Sequence, residues 1–206
     1  MVYLDNAATS FPKPPSVVAE VKRCLEEYCG NAGRGGHPLS MAAAEKIYEC
    51  REELSELFGA PDPSHVIFTQ NATTALNLAI KGILPKGAHV ITSNLEHNSV
   101  RRPIEALASD GLISFDKISV LKSGYLLDGG AICKQIASAI RKNTVAVVMT
   151  ACPNVCSLRL PLADIGRLCH RLGILFIVDG AQAAGHFPLD MRSMCIDALC
   201  LPAHKG

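Results

Sequence analysis

The chain has 206 residues, of which 49% are hydrophobic and 19% charged, and its formal net charge is +1. This balance is typical of a globular protein and excludes a long disordered tail. No block of Lys or Arg predicts binding to nucleic acid, and no apolar run approaches the roughly 20 residues that cross a bilayer. The N-terminus lacks the pattern of a secretory signal, so we expect a cytoplasmic protein.

The nine cysteines are many for this length. Without a secretory signal we expect no disulfide framework. Cys152 and Cys156 are four residues apart, but the sequence has no CxxC pair, so we predict no metal site. Four other cysteines lie in apolar or helical patterns, where we expect free thiols that behave as small hydrophobic residues. These are Cys24, Cys133, Cys169 and Cys200.

The N-terminal third predicts two helices. Apolar residues repeat at helical spacing from Val17 to Tyr28, and again within a predicted helix over 39–58. The Gly- and Asn-rich stretch GNAGRGGHP separates the two helices. Gly59 is a suitable C-terminal stop for the second helix.

The remaining two thirds alternate strands and helices. Several of the predicted strands are apolar on both faces, as in a parallel sheet that helices cover on both sides. We therefore predict an α/β fold, a three-layer α/β/α domain with a mostly parallel sheet, formed by residues 1–206 as one domain. The predicted strands are 65–69, 89–93, 113–120, 145–151, 174–179 and 195–201.

Polar residues follow these strands at the positions where open parallel sheets bind ligands. Lys205 follows the last strand and can form a Schiff base with an aldehyde cofactor, although an exposed terminal lysine is the alternative. Asp179 closes an apolar strand, where it can pair with a protonated pyridine nitrogen or cap the next helix. Gln182 is placed to donate to a phenolate oxygen of such a ring.

Other strand ends carry weaker signals. The stretch TQNATTALNLA joins a strand to a helix and puts Thr73 and Thr74 in the first helical turn, where a phosphate binds well. Capping of that helix by Asn71 or Thr73 explains the same residues. His97 can stack on a flat heteroaromatic ring, and Asn154 can hydrogen-bond a cofactor oxygen. A histidine in a loop such as His97 is also compatible with an ordinary surface position.

Together, seven stretches of the chain resemble the cysteine desulfurase and selenocysteine lyase group of class V aminotransferases. They occur in the order found in that family, from residue 3 to the end of the chain. The stretches are YLDNAATSFPKP, GNAGRGGHPLS, TQNATTALNLA, EHNSV, PNVCS, VDGAQAAGHFPLD and AHKG. The resemblance implies the large domain of a fold-type I enzyme that uses pyridoxal 5'-phosphate (PLP).

The resemblance also implies roles for individual residues. Lys205 would carry PLP as a Schiff base and act in catalysis, and Asp179 would pair with the pyridine nitrogen. His97 would stack on the ring and take part in catalysis. The remaining cofactor contacts implied are Gln182 and Asn154 at the ring substituents, and Thr73 or Thr74 with His204 at the phosphate.

Two departures from the family pattern affect what we expect. Pro202 and Ala203 stand where the family has Ser or Thr and then Gly, so one phosphate-binding hydroxyl is missing. The chain stops one residue after Lys205, whereas family members continue with a small C-terminal domain, a substrate-binding arginine and a loop cysteine. We therefore expect a fragment that is inactive alone, and we assign no cysteine of this chain as the nucleophile.

The resemblance implies that the complete enzyme takes sulfur from L-cysteine and gives alanine and an enzyme persulfide. It further implies a homodimer and a sulfur-acceptor protein in iron–sulfur or thiocofactor assembly, with neither nucleic acid nor membrane as partner. Selenocysteine lyase, a small-molecule aminotransferase and a non-catalytic truncated domain remain open alternatives.

Overall fold

The structure is a computed structural model that describes residues 2–206. The chain divides into two compact units, Met1–Ile67 and Phe68–Gly206. The single domain predicted for residues 1–206 stays a prediction. In the described part of the chain, no helix combines the length and the apolar character needed to cross a membrane.

The first unit is helical. Helix α1, Pro15–Arg23, continues into one π-helical turn over Cys24–Tyr28, and helix α2 covers Pro38–Phe58. Helix α2 ends at Gly59, whose φ of 66° lies in the left-handed region that glycine adopts without strain. A short 3-10 turn, Pro63–His65, follows. Both helices were predicted from the sequence, and the predicted stop at Gly59 is correct.

The second unit alternates strands and helices. Its elements are α3 Ala72–Ile83, β1 Ala88–Ser93, α4 Asn98–Ser109, β2 Ile113–Ile118, β3 Leu121–Lys122, β4 Tyr125–Leu126, α5 Gly129–Ala139, β5 Thr144–Thr150, α6 Leu162–Leu172, β6 Leu175–Asp179 and β7 Ala198–Cys200. Five strands form one parallel sheet in the order β2-β1-β5-β6-β7. Strands β3 and β4 form a separate antiparallel hairpin. The predicted mostly parallel sheet is confirmed.

The sheet lies between two layers of helices. The chain moves from β1 outward to β2 through α4, and then back across β1 to β5 through α5. Because parallel crossovers are right-handed, this reversal puts α4 and α5 on opposite faces of the sheet. Helix α3 packs against α4, and α5 packs against α6. The predicted three-layer α/β/α arrangement is therefore confirmed.

The core beneath α3 and α4 covers one face of the sheet. All six residues of β1 are buried. Burying an aliphatic side chain is worth about 1.5–3 kcal/mol, so this continuous contact between layers is a large stabilising contribution. The central side chains of this core are Leu76, Ile80, Val90, Val100, Ile104, Val148 and Ile177.

Three predicted strands differ from the structure, and the one predicted over 195–201 is limited to β7, Ala198–Cys200. The segment 65–69 was predicted to be a strand, but it forms the end of the 3-10 turn and then backbone without regular structure. Ile67 and Phe68 are 69% and 49% exposed, and neither belongs to a strand of the described sheets. The strand predicted over 113–120 ends at Ile118 and is followed by the β3–β4 hairpin.

The free thiols follow the prediction in part. All nine cysteines are unpaired thiols. Cys169 and Cys200 are buried, as expected, whereas Cys24 and Cys133 are only half-buried. Cys200 belongs to the core beneath α3 and α4, so it acts there as a small hydrophobic residue.

Candidate active site

A cleft of about 140 Å³ opens in the second unit, among loops that follow β1, β5, β6 and β7 and the start of α3. Loops at the carboxyl ends of parallel strands are the usual ligand sites of such sheets. Seven of the eight predicted site residues line this cleft: Thr73, His97, Asn154, Asp179, Gln182, His204 and Lys205. Thr74 is not among the lining residues.

Asp179 is the buried acid of the cleft. It ends β6, is 3% exposed, and its Oδ1 accepts a hydrogen bond from the Ala181 N–H at 2.9 Å. Burial raises the pKa of Asp179 above its usual value, while the Ala181 N–H and the nearby bases His97 and Lys205 lower it. A buried carboxylate in this position is stabilised by a cationic partner in the cleft.

Lys205 lies on the loop that follows β7, opposite residues 183–186. The Lys205 carbonyl accepts a hydrogen bond from His186 Nε2 at 3.0 Å. Gly206 approaches Gly185 so closely that a Cβ built on Gly185 would lie 2.7 Å from Gly206 Cα. Gly185 also has a φ of 79°. Two glycines and one hydrogen bond thus fix the backbone beside the lysine, and sequence reasoning assigned neither glycine a role.

His97 is held by the start of α4, which it caps. Its Nδ1 accepts from the Ser99 N–H at 3.2 Å and lies 2.8 Å from Ser99 Oγ. Because Nδ1 accepts, the ring proton of neutral His97 belongs on Nε2. Ser99 Oγ in turn lies 2.9 Å from Thr73 Oγ1, so one hydroxyl connects His97 to the start of α3. Sequence reasoning missed Ser99, although it stands in the motif EHNSV.

The N-terminus of α3 forms the other side of the cleft. Asn71 caps the helix, since its Oδ1 accepts from the Thr74 N–H at 2.8 Å and from the Thr74 hydroxyl at 3.1 Å. The capping alternative considered for Asn71 is therefore confirmed. The Thr74 hydroxyl serves the cap, whereas Thr73 lines the cleft. The first-turn N–H groups of a helix lack helical acceptors and favour an anion.

The loop after β5 supplies Asn154 and a residue that the sequence analysis did not assign to the site, Cys152. The Thr150 hydroxyl donates to the Cys152 carbonyl at 3.0 Å and so fixes the start of this loop. Pro202 also lines the cleft. Since proline carries neither a hydroxyl nor an N–H group, this position offers no donor to an anion.

The donor set fits pyridoxal phosphate. An amine for the aldehyde, a buried carboxyl for the pyridine nitrogen, and a helix N-terminus with a threonine hydroxyl for the phosphate line one cleft. The raised pKa of Asp179, which burial causes, indicates a carboxyl that a protonated pyridine nitrogen would stabilise.

Comparisons with known proteins agree with one another. The profile of the family described as "Aminotransferase class-V" matches residues 2–206. Cysteine desulfurase IscS of Proteus mirabilis is 34% identical over 212 residues, an alignment that covers 99% of this chain and 50% of the relative. The probable cysteine desulfurase of Methanothermobacter thermautotrophicus is 33% identical over 208 residues, covering 100% of this chain and 50% of the relative. The chain thus spans about half the length of these curated relatives.

Solved structures have the same fold. The structure titled "SspA in complex with cysteine" matches with a TM-score of 0.89 at 30% identity and covers 100% of this chain and 58% of its own. The apo structure of cysteine desulfurase from Thermococcus onnurineus NA1 matches with a TM-score of 0.87 at 29% identity, covering 100% and 50%.

Proposed function

Because this chain belongs to the class V aminotransferase family, whose profile matches it over residues 2–206, we propose that it binds pyridoxal phosphate in the cleft of its second unit. The observation that carries this proposal is that Lys205 and Asp179 line one cleft although Asp179 ends β6 and Lys205 follows β7. An amine and a buried carboxyl are the groups that hold the aldehyde and the pyridine nitrogen of this cofactor.

Three side chains act at the ring. When bound, the cofactor supplies a ring that stabilises the negative charge developing at the substrate Cα. Asp179 would hold a proton at the pyridine nitrogen, and that ion pair would offset the burial that raises the pKa of Asp179. His97 would pack on the ring face, with its ring proton on Nε2 because Nδ1 accepts from the Ser99 N–H. Lys205 Nζ would bond the aldehyde of the cofactor and would be the base for the proton at the substrate Cα.

The phosphate and ring substituents are held by residues of the surrounding loops. The Thr73 hydroxyl, the first turn of α3 and His204 bind the phosphate, with the Thr74 N–H engaged by Asn71. Asn154 and Gln182 hydrogen-bond the ring oxygen and its neighbours. These side chains orient the ring and leave one face open for the substrate.

We propose that the whole protein takes sulfur from L-cysteine, giving alanine and a persulfide on an enzyme cysteine. Support comes from relatives named cysteine desulfurase and from a neighbour titled in complex with cysteine. Since the chain spans about half of those relatives, the proposal concerns the complete protein. It includes a cytoplasmic homodimer and a sulfur-acceptor protein for iron–sulfur assembly. No cysteine of this chain is proposed as the nucleophile.

Trapping with borohydride tests the cofactor assignment. We expect the protein loaded with pyridoxal phosphate to be yellow and to retain the cofactor covalently after reduction, because Lys205 supplies the bonding amine. Lys205→Ala should abolish this trapping, measured by absorbance and peptide mapping. Lys142→Ala, an exposed lysine outside the cleft, is the matched control and should trap as the parent does. A reduced adduct mapped to Lys142 would contradict the assignment.

Product analysis tests the reaction. With L-cysteine and a thiol reductant, the complete protein should release sulfide and alanine in equal amounts. Selenide release from selenocysteine without sulfide from cysteine would favour a selenocysteine lyase. Formation of a keto acid instead of alanine would identify a transaminase.

A further inference from the structure

Glu96 ties the loop that carries His97 to the next strand of the sheet. It follows β1 and directly precedes His97. Its Oε1 accepts hydrogen bonds from the Thr150 N–H at 3.1 Å and from the Ser93 hydroxyl. Ser93 Oγ itself accepts from the Leu95 N–H at 3.1 Å, so its own proton is directed to Glu96. One carboxyl oxygen thus connects the ends of β1 and β5 beside the cleft.

The second carboxyl oxygen of Glu96 has no such partner. Its Oε2 is shielded from solvent and makes no hydrogen bond within residues 2–206. Glu96 is only half-buried as a residue, so the shielding concerns the carboxyl group rather than the whole side chain. An ionised oxygen in this position would lose its hydration without receiving a donor, which is costly for a charge.

The charged groups around Glu96 add to this cost. Burial is the largest cause that raises the pKa of Glu96 to about 8, and the charge of Asp179 raises it further, against the hydrogen bonds from Ser93 and Thr150. Three basic residues line the cleft, His97, His204 and Lys205, and of these His97 and Lys205 lower the pKa of Asp179. The basic groups near the carboxyls therefore favour ionisation of Asp179, whereas Glu96 gains no comparable partner.

We propose that Glu96 is a positioning residue that carries a proton in the folded site, fastens the His97 loop to β5, and leaves the negative charge of the cleft to Asp179. The benefit for the cofactor rests on the proposed function, in which Asp179 pairs with the pyridine nitrogen. The protonation itself is a property of this chain without any ligand, so it is tested independently.

The sign of the pH effect follows from proton linkage. The folded state keeps the Glu96 proton that the unfolded chain loses near the ordinary value of 4.5. The stability gained from this proton is complete below that value and is lost as the pH rises through about 8. The amide introduced by Glu96→Gln does not titrate, so the stability of this variant does not fall in this way as the pH rises. Burial raises the pKa of Asp179 too, but Asp179 is present in both the parent and Glu96→Gln. The difference in stability between these two proteins therefore reports the titration of Glu96.

The experiment measures urea unfolding of the ligand-free protein from about pH 5 to about pH 9. We expect the unfolding midpoint of the parent to fall with rising pH relative to Glu96→Gln. Glu105→Gln, at a partly exposed glutamate on α4, is the matched control and should follow the parent. Infrared spectra should show a protonated carboxyl band in the parent that Glu96→Gln removes. Parallel pH profiles for the parent and Glu96→Gln would overturn the proposal.

Two further measurements keep the outcome decisive. If Glu96→Gln does not fold, carboxyl-labelled glutamate in the parent still reports the titration by NMR, and a full titration near the ordinary value for every glutamate would overturn the proposal. For the positioning role, Glu96→Ala should bind pyridoxal phosphate about tenfold more weakly, while Glu96→Gln retains binding. Failure of trapping at Lys205 with the expected Glu96 titration would contradict the proposed function alone.

Discussion

The backbone beside Lys205 depends on glycine at two places in the sequence. Gly185 adopts a φ of 79° and contacts Gly206, where a Cβ on Gly206 would lie 2.1 Å from the Ala184 carbonyl oxygen. A side chain at either position must displace main-chain atoms rather than a flexible side chain. The Lys205 loop can therefore lie this close to residues 183–186 only because Gly185 and Gly206 carry no side chain.

We predict that Gly185→Ala lowers the affinity for pyridoxal phosphate at least about tenfold, because the new Cβ moves the Lys205 loop. The matched control is Gly173→Ala, since Gly173 also has a positive φ of 64° but has no atom within 4 Å of a built Cβ. Both variants should lose roughly 1–2 kcal/mol of stability from backbone strain, measured by urea unfolding. An equal loss of cofactor affinity in both would remove the special role of Gly185.

At the scale of residues, the sequence indicated side chains near strand ends that line the cleft. It did not indicate the side chains that hydrogen-bond to neighbouring elements and hold the loops of the cleft. Lys205, Asp179 and His97 were recognisable because each stands next to an apolar strand in a distinctive motif. Ser99 and Glu96 were not, because their roles depend on distances to atoms of other elements, such as Thr73 Oγ1 and the Thr150 N–H. Single-sequence motifs carry no information about such contacts.

At the scale of elements, apolar patterns predicted all five strands of the parallel sheet. They also predicted strands at residues where the structure has none. The apolar pattern predicted one strand over residues 113–120. In the structure, Ser123 and Gly124 have positive φ and form the turn of the hairpin that follows β2. The Ser-Gly pair is the signal that could have indicated this turn. The error at 65–69 has another cause, since pairing with a neighbouring strand cannot be read from an apolar run.

The cap of α3 lies beside the proposed cofactor site. We predict that Asn71→Ala lowers stability by about 1 kcal/mol and also weakens binding of pyridoxal phosphate, because the cap orients the first turn at the proposed phosphate position. Asp128→Ala is the matched control, since Asp128 Oδ1 caps α5 through the Ala131 N–H at 2.8 Å.

The control should lose similar stability, measured by urea unfolding, but should retain the affinity for pyridoxal phosphate, measured by absorbance titration. If Asn71→Ala keeps full affinity, the start of α3 is not the phosphate position. If Asp128→Ala loses affinity equally, the effect reports general stability.

At the scale of the whole molecule, the apolar residues of the first unit stand out. Helix α1 has no buried residue, although apolar residues repeat along it at helical spacing. Val17, Val18, Val21 and Leu25 are 47%, 59%, 56% and 69% exposed. Apolar side chains clustered on one helix are typical of a surface that contacts another protein surface.

We predict that the 206-residue chain self-associates through this helix. Sedimentation should show an average mass that rises with protein concentration. The double variant Val18→Lys, Val21→Lys should weaken association about tenfold, because it puts two charges on the apolar face of α1. Val155→Lys is the matched control, since Val155 is 75% exposed in the second unit, and it should associate as the parent does. A parent chain that sediments as a monomer at every concentration, or a double variant that associates unchanged, would contradict a contact through α1.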